Sequence, residues 1–211
     1  APAANINDEL EELKKYIKCM TFDSFNFKDN LELSKKFEFK YDIYTWLKTL
    51  EDKSLKDFYD EKSGYFYDID AETGEFLNSA LGPEGWTPIW CEIATKEQAD
   101  KVIEYMMDST RFNTTVPLPT IDVSHPKFDP QNGYWRGPVW LDQLWFGVDG
   151  LHKYGYAKEA SLLKNKVINN CEGLKKAGIS IRENYHPLTG EGLNAEHFSW
   201  SASHLILLIT E

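Results

Sequence analysis

Apolar residues fall at helical spacings in separate stretches of this chain, and the stretches are parted by blocks in which Trp, Tyr and Phe stand beside Gly and Pro. A chain patterned this way is constrained to helices joined by aromatic loops. Leu10, Leu13, Ile17 and Met20 predict a helix over about 7–20, with acids early and lysines late as its dipole favours. Trp46, Leu47, Leu50, Leu55 and Phe58 predict a second over about 41–59. Ala99, Val102, Ile103 and Met106 define a third from Thr95 to about Asp108, where Thr95 and Gln98 suit a capped start. Pro138 fits the first turn of a fourth helix running to about Tyr154, with Gly155 as its stop. A fifth is expected from Ala157 to about Lys176, and a sixth from near Ser199 to the end of the chain. Two shorter features interrupt the series. Residues 63–76 read as a hairpin around an acidic turn, and 178–185 as extended chain before a turn at His186–Gly190. Residues 109–137 carry four prolines and form a long loop, the kind of segment that usually holds function. The fold class expected is mainly α, with paired helices packed side by side.

Charge removes some functions. A net charge of −11 repels phosphate backbones and anionic membranes, so no nucleic-acid partner is expected, and no run approaches the roughly 18 apolar residues of a membrane span. Cys19, Cys91 and Cys171 make no CxxC or Cys/His pattern; buried thiols are expected, with no metal and no cofactor. Asp68, Asp70 and Glu72 imitate a calcium loop, but Gly74 and Ser79 stand at the wrong places in it. HExxH, GxSxG, Walker and GxGxxG patterns are absent. A sequon, Asn113-Thr114-Thr115, matters only in a secretory compartment.

Three blocks remain in which chemistry can reside. Leu81-Gly82-Pro83-Glu84-Gly85-Trp86-Thr87-Pro88-Ile89-Trp90 presents two indoles; either packs in the core or lines a cleft, and the loop-forming neighbours of Trp86 favour the cleft. Gly133-Tyr134-Trp135-Arg136-Gly137-Pro138-Val139-Trp140 holds an Arg that either stacks on an indole or forks onto sugar hydroxyls. In Arg182-Glu183-Asn184-Tyr185-His186, Glu183 is either an ordinary ion-pair partner of Arg182 or Arg136, or a general base holding a water. Phe198-Ser199-Trp200-Ser201 adds another indole at a helix start. Aromatic faces for sugar rings and charged groups for hydroxyls point to carbohydrate.

In this order the blocks GPEGWTPIW, YWRGPVW, GLHKYGY, ENYHPLTG and FSWSA resemble the C-terminal half of the catalytic domain of glycoside hydrolase family 63, over about residues 43–210. That family contains processing α-glucosidase I, bacterial α-glucosidases, which the blocks resemble most, and mannosylglycerate-type hydrolases. The resemblance implies an (α/α)6 toroid of which residues 1–211 supply about half, including the short hairpin and long loops. It implies hydrolysis of α-linked glucose or a related sugar with inversion, Glu183 as general base, and Trp86, Tyr134, Trp135, Arg136, Tyr185 and Trp200 around the sugar. Arg136 would also support the charge on Glu183. The family's acid, an Asp, lies farther upstream than the 182 residues before Glu183, so the partners expected are a carbohydrate and the remaining half of the domain. The alternative is a non-catalytic sugar-binding or assembly module with a degenerate cleft. A secretory, periplasmic or extracellular setting is favoured by the resemblance.

Overall fold

The computed structural model describes residues 58–70, 72–175 and 178–210. The helix expected over 7–20, nearly all of that over 41–59, and Cys19 lie outside the described residues. Two short strands, β1 (Tyr59–Asp60) and β2 (Tyr65–Phe66), pair antiparallel, and the acidic turn that follows closes through an Ile69–Phe76 bridge. Asp70 shapes this turn by accepting the backbone N–H groups of Glu72 and Thr73 at 2.9 and 2.8 Å.

The GPEGWTPIW block is not an open loop. Pro83–Gly85 forms a tight 3-10 turn that leads into a single helical turn, α1 (Thr87–Trp90), each with proline where the missing N–H costs nothing. Gly85 is required, because a Cβ there would lie 2.0 Å from the Tyr65 ring. The Tyr65 hydroxyl in turn donates to the Gly82 carbonyl at 2.7 Å. α2 (Lys96–Met107) starts on a capping box between Thr95 and Gln98 and buries Ala99, Val102, Ile103 and Met106.

A long loop follows, as expected. Its turns are fixed by buried polar contacts rather than regular structure: Arg111 bonds Asp122 at 2.5 Å, and Lys166 reaches in from a later helix to Asn113 and Thr114. The sequon asparagine is therefore engaged, its amide N–H donating to the Met107 carbonyl at 3.1 Å while its oxygen accepts from Lys166.

The fourth predicted helix begins late. α3 spans Leu141–Lys153, and Pro138–Trp140 is extended instead, because Val139 exchanges both backbone hydrogen bonds with Tyr185. α4 (Ala157–Asn170) also ends earlier than the sequence indicates, stopping at Cys171. β3 (Arg182–Tyr185) matches the extended segment; its partner β4 (Gly192–Glu196) was not foreseen. α5 (Ser199–Thr210) closes the described chain. α3 is the central element, packing on α1, α4 and α5 over a core that contains Trp86, Ile89, Leu144, Val148, Leu151, Leu163 and Val167. Cys171 is buried as expected, but Cys91 is exposed. Among the described residues no helix is long and apolar enough to cross a membrane.

Candidate active site

The Val139–Tyr185 pairing joins two blocks that are far apart in sequence, and a site forms where they meet. It sets the YWRGPVW block beside β3, so the rings that precede Val139 lie next to Glu183. Glu183 itself is buried, and its backbone carbonyl is tied to α5 by the Ser201 hydroxyl at 2.8 Å. Its carboxylate receives two hydrogen bonds. The Tyr134 hydroxyl donates to Oε1 at 2.7 Å, and the Ala195 backbone N–H of β4 donates to Oε2 at 3.2 Å. The carboxylate raises the Tyr134 phenol above its ordinary pKa, since a bond to an acceptor stabilises the protonated form.

Neither arginine pairs with Glu183. Arg182 turns to Glu196 at 2.6 Å, and Arg136 faces Asp129 at 4.0 Å, so the expected support of the Glu183 charge by Arg136 does not take the form of an ion pair. Arg136 lies on the exposed loop, half open to solvent, held by the pairing of that loop with itself.

The tyrosine that donates to the carboxylate belongs to a cluster of rings. Trp135 stacks on Trp140 with centroids 4.5 Å apart and planes within 6°. Tyr134 meets the same indole edge-on at 5.1 Å, and Trp200 leans on it at 5.9 Å, with Phe198 stacked beyond. Trp140 is the hub that sequence reasoning missed. It is buried, its Nε1 donates to the Tyr134 carbonyl at 3.0 Å, and its place in the same Gly/Pro block was the available signal. Tyr134, Trp135 and Trp200 each keep about half their surface open, at 49, 48 and 45%. Tyr134 has a left-handed backbone, φ 52°, and Gly137 a φ of 138°, which together turn the rings outward.

Two residues expected at the cleft belong to the core. Trp86 has no exposed surface: its Nε1 donates to the Gln143 carbonyl of α3 at 3.0 Å and its ring meets Phe112 edge-on at 5.3 Å. Tyr185, two residues along the same strand, is also fully buried, its hydroxyl accepting the Arg182 backbone N–H at 3.2 Å. Burial pushes that phenol up to about 12.

A buried carboxylate free of ion pairs among the described residues, one oxygen of which accepts from a tyrosine hydroxyl packed against an indole, can take a proton from a hydroxyl or water. The family match makes this mainly helical chain a glycoside hydrolase domain. The chain belongs to the family described as mannosylglycerate hydrolase MGH1-like glycoside hydrolase domain, whose match covers residues 28–201. It is 31% identical over 165 residues to the mannosylglycerate hydrolase of Thermus thermophilus, covering 77% of this chain and 37% of that protein. It is 33% identical over 148 residues to mannosylglycerate hydrolase MGH1 of Selaginella moellendorffii, covering 69% and 28%. Among solved structures, a family 63 mannosylglycerate hydrolase from Thermus thermophilus in complex with Tris and D-glycerate superposes with a TM-score of 0.67 at 30% identity, covering 82% of this chain and 40% of that one. Neutral trehalase from Saccharomyces cerevisiae, 21% identical with a TM-score of 0.62, shares the fold. The chain spans about a third of the length of the curated relatives it matches.

Proposed function

We propose that this chain is the base-bearing portion of an inverting glycoside hydrolase acting on α-linked glucose or a related sugar. Glu183 takes a proton from a water as its oxygen attacks the anomeric carbon, the glycosidic C–O bond breaks, and a general acid on an upstream segment protonates the departing oxygen. The observation that carries this reading is the buried Glu183 carboxylate, without an ion pair among the described residues, hydrogen-bonded to Tyr134 of the Tyr134–Trp135–Trp140–Trp200 cluster. Tyr134, Trp135 and Trp200 are the rings for the sugar. The half-toroid reading of the fold is supported by the likeness to helical family 63 enzymes and by α5, which leaves Ile206 and Ile209 exposed as a helix awaiting a neighbour would. Sugars joined to a small anionic acid are the first substrates to test, because relatives at 31 and 26% identity are named mannosylglycerate and glucosylglycerate hydrolases.

The test uses the protein carrying this chain together with its upstream segment. Each α-glycoside is added in turn and the first product anomer is read by proton NMR before mutarotation. Release of the β-anomer supports the proposal. Release of the α-anomer overturns the inverting mechanism, and sugar binding with no hydrolysis supports a non-catalytic module.

A further inference from the structure

The hairpin behind Glu183 is irregular at one place, and the irregularity faces the carboxylate. Arg182 pairs with Glu196, whereas Asn184 pairs with Leu193 and Tyr185 with Gly192, so the single residue Glu183 is opposed by two, Asn194 and Ala195. This is a β-bulge. Asn194 adopts the left-handed conformation, φ 57°, which asparagine tolerates better than other residues with a Cβ and β-branched residues tolerate poorly. One extra residue at that point shifts the phase of β4 and turns the Ala195 N–H onto Glu183 Oε2. In a regular ladder that N–H would serve the strand rather than a side chain.

Three contacts hold the bulge. The Asn194 side-chain amide donates to the Asn184 Oδ1 at 2.9 Å, and Asn184 is fully buried, so its position is fixed by packing. The Arg182 guanidinium donates to the Asn194 carbonyl at 2.7 Å and to the Glu196 carboxylate at 2.6 Å, spanning the bulge from both ends. Gly192 leaves room for the arginine stem, since a Cβ there would lie 2.2 Å from Arg182 Cγ. Asn184 and Arg182 flank Glu183 in sequence, so the base is set between the two residues that grip its opposing bulge.

We infer that Asn194 is a positioning residue: its left-handed bulge, clamped by Asn184 and Arg182, aims the Ala195 N–H at Glu183 and fixes the carboxylate for its work as base. The inference rests on the assignment of Glu183 as base. Positioning errors near one ångström cost up to about 10²-fold in rate, which sets the expected scale.

The experiment compares Asn194→Gly and Asn194→Val in the protein that carries this chain and its upstream segment, with mannosylglycerate as substrate. Glycine keeps the left-handed backbone but loses the bond to Asn184, so Asn194→Gly should lower kcat by about tenfold at most, while Asn194→Val, which loses both, should lower kcat by about 10²-fold with KM changed little. Equal kcat values in the two variants, or a loss confined to KM, would overturn the inference. Should Asn194→Val fail to fold, Asn184→Ala removes the clamp without demanding a new backbone; it should lower kcat about tenfold, and an unchanged kcat refutes the clamp. A second readout does not depend on turnover. The Ala195 amide resonance should move when Glu183 is replaced by Ala, and that response should vanish in an Asn194→Val background. Hydrolysis absent from the unsubstituted protein, with this amide response intact, defeats the functional reading and leaves the bulge geometry standing; no amide response defeats the bulge.

Discussion

Replacing Trp86 by alanine separates a core indole from a cleft indole. The ring is wholly buried, packed edge-on against Phe112, and its Nε1 caps the Gln143 carbonyl at 3.0 Å. Its removal opens a cavity beside the face of α3 that carries Gly147, where Leu118 and Met106 also pack. The lost transfer energy and cavity amount to about 4 kcal/mol, and loss of the indole hydrogen bond adds up to about 1 kcal/mol. Against a typical domain stability of about 5–15 kcal/mol, Trp86→Ala should unfold a large share of the protein or lower its urea midpoint by about 2 M. Trp135→Ala is the control. Its ring is half open and loses chiefly a stack on Trp140, about 1 kcal/mol, so the urea midpoint should shift by less than about 0.5 M. Sugar affinity, measured by calorimetry, should fall about tenfold in Trp135→Ala, the equivalent of about 1.4 kcal/mol from one lost ring face. A Trp86→Ala protein with an unchanged urea midpoint and weakened sugar binding would refute the assignment of Trp86 to the core.

Further outcomes follow from two half-buried charged groups. Burial, with a smaller contribution from Asp68, raises the Glu84 carboxyl to about 7. Between the ordinary carboxyl range and pH 7 the folded state then holds a proton that the unfolded state has lost, so stability falls as pH rises through this window, by on the order of 2 kcal/mol. Glu84→Gln should flatten that slope in urea titrations at pH 5 and pH 8, and an unaltered slope would count against Glu84 as its source. Lys166 donates to the Asn113 carbonyl, the Asn113 side chain and the Thr114 carbonyl at 2.6–3.0 Å. Lys166→Met leaves these acceptors unpaired and should cost about 2 kcal/mol, visible as a lowered thermal midpoint without loss of sugar binding. A thermal midpoint equal to that of the parent would show that water replaces the ammonium at no cost.

What was legible in the sequence was local. The Thr95–Gln98 capping box and the periodic stripe of α2 need only neighbours within one or two turns, and both are present. Pro138 failed as a helix start because Val139 pairs with Tyr185, a partner 46 residues away that outcompetes the first helical turn. β4 escaped notice because only Leu193 is buried within it and the bulge at Asn194 breaks the alternation that announces a strand. The same limit divides the tryptophans. Trp86 and Trp135 both stand between Gly and Pro residues, yet the first turn is packed on α3 and the second projects from a loop; local composition is blind to that difference. The ENY block singles out Glu183 as a candidate, whereas its hydroxyl and amide donors, Tyr134 and Ala195, come from elements that only the tertiary fold brings to it.

The role of Glu183 is tested most directly by one comparison. Turnover of mannosylglycerate and binding of the same sugar are measured for Glu183→Gln and for the unsubstituted protein, each with its upstream segment. Glutamine keeps the size of the side chain and cannot accept the proton from water. Turnover should fall by at least about 10³-fold while the dissociation constant stays within a few-fold. Turnover equal to that of the unsubstituted protein would contradict the assignment of Glu183 as the general base.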